Sequence, residues 1–463
     1  MYKSLNGAAA CLVVLATAGG AAAQATPPTV PGPIAIEHVT VVPMDAERVL
    51  PDHTVVVEGR RITALGPSAQ VTPPAGAQRI DGRGRFLIPG LAEMHAHFPS
   101  PQGLQQHGEA FGDRLLFLNV ACGVTTVRGM IGGPRDLQVR EEVARGVRLG
   151  PRIFTAGPSI NGNSAPDALA GRRLVTEQRA AGYDLLKIHP GVPRAAFDEV
   201  ARVARAEGIP FAGHIPADVG LERALLSGMR TVEHLDGYVE ALQKGALAPG
   251  QNAGFFGSEI VDGVDEARIP ALAAATRAAG AWNTPTQVLV DNVFGGASIE
   301  EVMGRPEMKY MPAAIREQWT KGAAQFRGPG FDAARGRRFV ELRRKLLRAL
   351  RDAGAGLLLG ADAPQVFNVP GFATLRELES LVAAGLTPFE ALQAGTRNPA
   401  MALGVPESFG VIARGRRADL VLLDADPLAD VRNVWKRAGV VVAGRWLPAA
   451  EIDAQLARYG AAP

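Results

Sequence analysis

The sequence predicts an α/β fold: a (β/α)8 TIM barrel with a small β-sandwich domain assembled from both termini. Three observations point there. Short apolar runs alternate with helical segments through the middle of a 463-residue chain. Runs with the alternating pattern of half-buried strands occur only towards its two ends. Histidines of the central region fall where the short runs stop. The length suits a barrel plus a smaller domain better than one ordinary domain.

The chain opens with an early lysine, a short apolar segment and small residues ending in Ala23-Gln24-Ala25. That is the layout of a secretory signal peptide over residues 1–25, so the expected product is exported and periplasmic. Its apolar segment is too short for a membrane span. Without the leader, Cys122 is the remaining cysteine of the 2 in the sequence, which leaves no partner for an intrachain disulfide. A proline-rich spacer follows at 26–33. Strand signals in "IAIEHVTVV", "HTVVVEGRRITALGP" and "AQRIDGRGRFLIPG" return only in "GVIARGRRADLVLLDADP" and "VVVAGRW". The composite β-sandwich therefore takes residues 34–87 and 406–450. The barrel takes 88–405, and 451–463 form a C-terminal tail.

Within the barrel, the strand containing His95 is followed by "GVTTVRG", "PRIFTAG", "YDLLKIHPG", "IPFAGHIP", "MRTVEHLDG", "AWNTPTQVLV" and "GAGLLLGADAP". Eight strands are the number such a barrel needs. "AFDEVARVARAEG" and "LRELESLVAAG" read as helices between them. Two connections, 239–280 and 291–336, are longer than a barrel requires, as lids and specificity loops are. Formal net charge is +3, from 49 basic and 46 acidic residues, and this near balance argues against a nucleic-acid partner. The densest basic run, "RGRRFVELRRKLLRALRDAG", places Phe339, Leu342, Leu346, Leu347 and Leu350 at helical spacing. It reads as an amphipathic helix whose arginines face solvent.

"PGLAEMHAHFPS" sets two histidines, His95 and His97, at i and i+2 of a strand. Such side chains share a face at roughly 7 Å spacing and can share a metal ion. Lys187, His214, His234 and Asp362 also lie at or near strand ends, positions that converge at the C-terminal face of a barrel. Lys187 sits in an apolar strand with no carboxylate at Leu185 or His189, its same-face neighbours. An unpaired buried ammonium is costly, so the amine is expected to be neutral or modified, or else paired with a distant acid. A neutral amine can add carbon dioxide to form an anionic carbamate, which arginine cannot. Glu93, on the face of His95, is expected to orient an imidazole.

The order His-x-His, Lys, His, His, Asp along the strands resembles the amidohydrolase superfamily, in its imidazolonepropionase-like, prolidase-like branch. "RFLIPGLAEMHAH", "ACGVTTVRGM", "GHIPADV", "TVEHLDG", "GLTPFEALQAGTRNPAMALG" and "GVIARGRRADLVLLDADPL" carry the likeness over nearly all the mature chain. The resemblance implies two divalent metal ions, taken as Zn2+, with His95, His97 and Asp362 on one and His214 and His234 on the other. An N6-carboxylated Lys187 and a hydroxide would bridge them, and Asp362 would be the catalytic proton shuttle. The implied function is amide or dipeptide-like C–N hydrolysis of a small-molecule substrate by hydroxide attack. The same metal site could serve a cyclic amide, lactone or other ester; a non-catalytic periplasmic binding protein is a remoter reading. A homo-oligomer is compatible with the family, although no interface stripe is apparent. Two departures weaken a carboxylate clamp: "GPSINGNSAPDA" replaces a histidine-bearing loop, and Ile215 stands where relatives have tyrosine. Substrate contacts are therefore expected from His189, Tyr238 and Asn163.

Overall fold

The computed structural model describes residues 32–247, 252–327 and 331–461. The expected leader and nearly all of the spacer lie outside the described residues. The N-terminal strands are β1 (Ile34–Val41), β2 (Leu50–Glu58), β3 (Arg61–Pro67), β4 (Gln78–Asp81) and β5 (Phe86–Pro89). β6 (Leu91–Ala96), β7 (Val124–Gly129) and β8 (Arg152–Thr155) then form one parallel sheet. A second parallel sheet contains β9 (Leu186–Ile188), β10 (Phe211–Gly213), β11 (Thr231–Glu233), β12 (Trp282–Thr284) and β13 (Gly356–Leu357). Helices alternate with these strands, giving an α/β fold. Single parallel bridges, Ala156 to Leu185 and Ala96 to Ala363, link the two sheets at both of their edges.

β14 (Leu420–Leu423), β15 (Arg437–Val442) and β16 (Arg445–Pro448) return to the N-terminal strands, so both ends of the chain share a sheet. The sequence pattern suggested a sandwich; the described strands of this region form a single mixed sheet, in the order β16-β15-β14-β5-β1-β2-β3 with β4 beside β1. The reason lies in β1. Ile36 pairs with Ile80 of β4, whereas Thr40 pairs with Phe86 of β5, and His38 between them has φ +56°. One irregular strand thus serves both branches, and its apolar residues Ile36, Val39 and Val41 share a core with Leu420 and Leu422.

Three segments differ from expectation in informative ways. β12 stops at Thr284, and "QVLV" begins the helix Gln287–Phe294. Pro285 has no N–H for a ladder, and the Glu377 carboxylate accepts from Gln287 N at 2.9 Å and Val288 N at 2.6 Å. The arginine-rich run is the helix Ala333–Asp352, with its leucines buried as the spacing requires. Arg343, however, lies in the same stripe, four residues after Phe339 and three before Leu346, and is fully buried. The helix Ala449–Ala461 takes in residues 451–461 of the expected tail and the last two residues of the expected β domain, and its Ile452 and Leu456 join the core of the helix Glu109–Ala121. No described helix is long and apolar enough to cross a membrane.

Candidate metal centre

The sequence-predicted ligands meet at one end of the parallel strands. His95 lies in β6 and Lys187 in β9; His97, His214 and His234 follow the ends of β6, β10 and β11, and Asp362 follows β13. Gly213 makes room for this: it has φ +133°, and a Cβ there would lie 2.1 Å from Ile188 O. His234 and Asp362 themselves have positive φ, +62° and +60°, as does Thr286 at +47° after β12. Non-glycine residues so held at neighbouring strand ends are a mark of functional sites.

All six predicted ligands, and His189, line one cavity of about 240 Å3. Ligand atoms of His95, His234 and Asp362 lie within 4.8 Å of one another. His97 Nε2 is 2.8 Å from Asp362 Oδ1, and Lys187 Nζ is 3.4 Å from His95 Nε2. The His214 and His234 rings are 4.9 Å apart. A larger surface cavity of about 730 Å3, beside Arg148 and Arg445, contains no histidine and lies apart from this chemistry.

Partners fix the imidazoles. His95 Nδ1 lies 2.7 Å from Glu233 Oε2, and His214 Nδ1 lies 3.0 Å from Asp236 Oδ2. An ionised carboxylate only accepts, so each Nδ1 carries the hydrogen and each Nε2 keeps its lone pair. His234 Nδ1 is 2.8 Å from Thr286 Oγ1, while Arg343 grips the His234 carbonyl at 2.5 Å. Burial, with Lys187 nearby, pushes the pKa of His95 down to about 3 and that of His234 well below its ordinary value. Both are neutral, as metal ligands must be. Burial also lowers the Lys187 amine to about 8, although Glu233 and Asp362 pull the other way. Burial opposes ionisation of Asp362, but His95, His97 and Lys187 together hold it down to about 2.

Sequence reasoning missed Arg128, whose guanidinium donates to Met94 O at 2.7 Å, Thr231 Oγ1 at 2.9 Å and Glu233 Oε1 at 2.8 Å. It also missed Glu233, the actual partner of the His95 imidazole. Glu93 instead accepts from the backbone N of His95 at 2.8 Å and of Ala361 at 2.9 Å, and from Thr374 Oγ1 at 2.7 Å. It braces the strands. The charges of Arg128 and Glu233, set in apolar strands like that of Lys187, were the available signal.

Two expected substrate contacts are corrected. Tyr238 is fully buried, its hydroxyl donating to Asn283 Oδ1 at 2.9 Å and lying 2.9 Å from Thr276 Oγ1. It follows Gly237 into a helix that turns its ring into the core. Asn163 is exposed and away from the cavity, with its N–H donated to Asn161 Oδ1 at 2.9 Å. The same loop does touch a cavity residue through Ser159, whose Oγ lies 2.8 Å from His189 Nδ1 and accepts from Asn161 Nδ2 at 3.1 Å.

This arrangement can be set beside known proteins. Residues 86–447 match the model of the amidohydrolase family. The chain belongs to that family. Membership makes it a hydrolase acting on carbon–nitrogen bonds, with relatives and structural neighbours of the imidazolonepropionase-like and prolidase-like kind. An imidazolonepropionase of Rubrobacter xylanophilus is 26% identical over 80% of this chain and 84% of its own. An adenine deaminase of the same organism is 25% identical over 91% of this chain, which spans only 59% of that protein. A crystal structure of a Xaa-Pro dipeptidase, 17% identical, superposes with a TM-score of 0.66 over 90% of this chain and all of the other, a likeness of fold.

Proposed function

We propose that this chain is an exported, binuclear-metal-dependent amidohydrolase of closed (β/α)8 architecture, cleaving an amide or dipeptide-like bond. The observation that carries the reading is the set of neutral, oriented imidazoles and an ionised Asp362 around a buried lysine. The donors suit zinc, with nitrogen and carboxylate ligands and a lysine able to add the bridging carboxylate. His95, His97 and Asp362 would hold one ion, His214 and His234 the other, and a carbamylated Lys187 both. Two such ions supply a nucleophile derived from water at neutral pH and polarise the scissile carbonyl.

The protein's own groups do the rest. Lys187 Nζ, neutral in a fraction of molecules near pH 7, attacks the carbon of carbon dioxide and releases one proton, leaving an anionic carbamate. Asp362 Oδ accepts a proton as the carbonyl is attacked and returns it to the departing amine nitrogen. Gln365, whose Nε2 donates to Asp362 Oδ1 at 3.0 Å, keeps that carboxylate in place. Ser159 Oγ, which accepts from Asn161 Nδ2, lies 2.8 Å from His189 Nδ1; with the Ser159 hydroxyl donating to Nδ1, His189 would present Nε2–H to the substrate carbonyl.

The test uses purified protein reconstituted with zinc and bicarbonate. Metal analysis should give two ions per chain. Amine should be released from a panel of N-acyl amino acids, dipeptides and their neutral amides, and the purified chain should begin at Thr26. The Lys187→Ala variant should lose both metal and turnover. A fully metallated, active variant would remove lysine from the centre. Silence of the wild type with two ions bound would turn the reading to cyclic amides and esters.

A further inference from the structure

The cavity has an aromatic wall that none of the proposed catalytic steps uses. The Phe256 ring lies parallel to His234, with 4.6 Å between centroids and 9° between planes, and 6.1 Å from His214. Phe255 is its neighbour at 4.0 Å and is backed by Phe326 at 4.9 Å and Phe294 at 6.4 Å. These rings come from the two long connections foreseen at 239–280 and 291–336. Those connections therefore build one surface above the histidines.

That wall is fixed in position. Gly257 has φ +89°, and a Cβ there would come within 2.4 Å of Val239 Cβ, so the loop sits hard on its neighbour. Phe255 N donates to Ser258 Oγ at 3.1 Å. Beyond it, Glu259 pairs with Arg335 and Asp262 with Arg338, at 2.6 Å for the latter, tying the loop to the helix Ala333–Asp352. Ile131 adds a further apolar side chain to the cavity. Among its described lining residues the only lysine or arginine is Lys187, fully buried against His95. A substrate carboxylate laid against Phe255 and Phe256 would lose water and gain no partner. An apolar ring there would gain burial and stacking.

We propose that the substrate is an uncharged amide bearing an aromatic or comparably apolar group, held by Phe255 and Phe256 beside His234. This rests on the amidohydrolase reading and deepens it to a substrate class. The test pairs N-benzylacetamide with its 4-carboxybenzyl counterpart, measuring both calorimetric affinity and amine release by the zinc-reconstituted enzyme. The neutral compound should bind tighter by roughly tenfold or more, a difference of the size one pocket contact commands. The Phe256→Ala change should shrink that gap, and Phe256→Arg should reverse it. Equal affinities, preference for the carboxylate, or a gap untouched by both substitutions would overturn the proposal. Selective binding of the neutral amide without amine release would uphold the aromatic site and overturn cleavage of acyclic amides there, so the two fail separately.

Discussion

Asp362→Asn should leave the fold intact and lower kcat by about a hundredfold to ten-thousandfold, the range over which a positioned acid–base group acts. Asparagine is nearly isosteric, and its carbonyl can still accept from Gln365 Nε2, now 3.0 Å from Asp362 Oδ1. It cannot take a proton from the attacking group or return one to the amine. Thermal unfolding, metal content and turnover should be measured on the same preparation. An unchanged Tm with two ions retained and kcat collapsed assigns proton transfer to Asp362. Collapse with one ion lost makes it chiefly a ligand. Normal turnover would remove it from the mechanism. KM should move less than kcat, because the proton is transferred only as the bond breaks.

The sequence disclosed the ligands more readily than their supports, for a physical reason. Strand ends are legible because apolar runs are short and bounded by glycine and proline, and histidine or aspartate there is conspicuous. Lys187 stood out as a lone cation in an apolar run. Arg128 and Glu233 carried the same signal, but their pairing spans strands more than a hundred residues apart and depends on the order of strands around the sheet. Arg343 was hidden differently. Its place in the apolar stripe, between Phe339 and Leu346, was the local signal, but a run with so many arginines reads as a wholly solvated face and hides the one that turns inward to hold the His234 carbonyl. Tyr238 shows the reverse error, since proximity in sequence to His234 did not reveal which way its helix would face. The sheet at the chain's ends was foreseen in its strands but not in its form, because the left-handed turn at His38 that divides β1 between two partners is not a glycine.

Arg128→Ala should destabilise the protein by about 3–5 kcal/mol, the cost of breaking a buried ion pair from one side. Arg128 and Glu233 are both buried among the parallel strands, with side chains 2% and 0% exposed. Burial alone would raise the Glu233 pKa; Arg128, and next His95, outweigh it and hold this carboxyl well below its usual range. Removing the guanidinium leaves that charge with the Thr231 hydroxyl and His95 Nδ1, and strips a donor from Met94 O and Thr231 Oγ1. Chemical denaturation should show the loss directly. The double variant Arg128→Met, Glu233→Leu should recover most of it, because two apolar side chains of similar volume need no pairing in the interior. Recovery should stop at stability. Without Glu233, nothing holds the His95 Nδ1 hydrogen or aims its Nε2, and metal affinity should fall by about 10–100-fold. A double variant that regains both stability and metal affinity would show the pair to be structural only. One that regains stability alone places the orientation of His95 in Glu233, with Arg128 there to make that buried carboxylate tolerable.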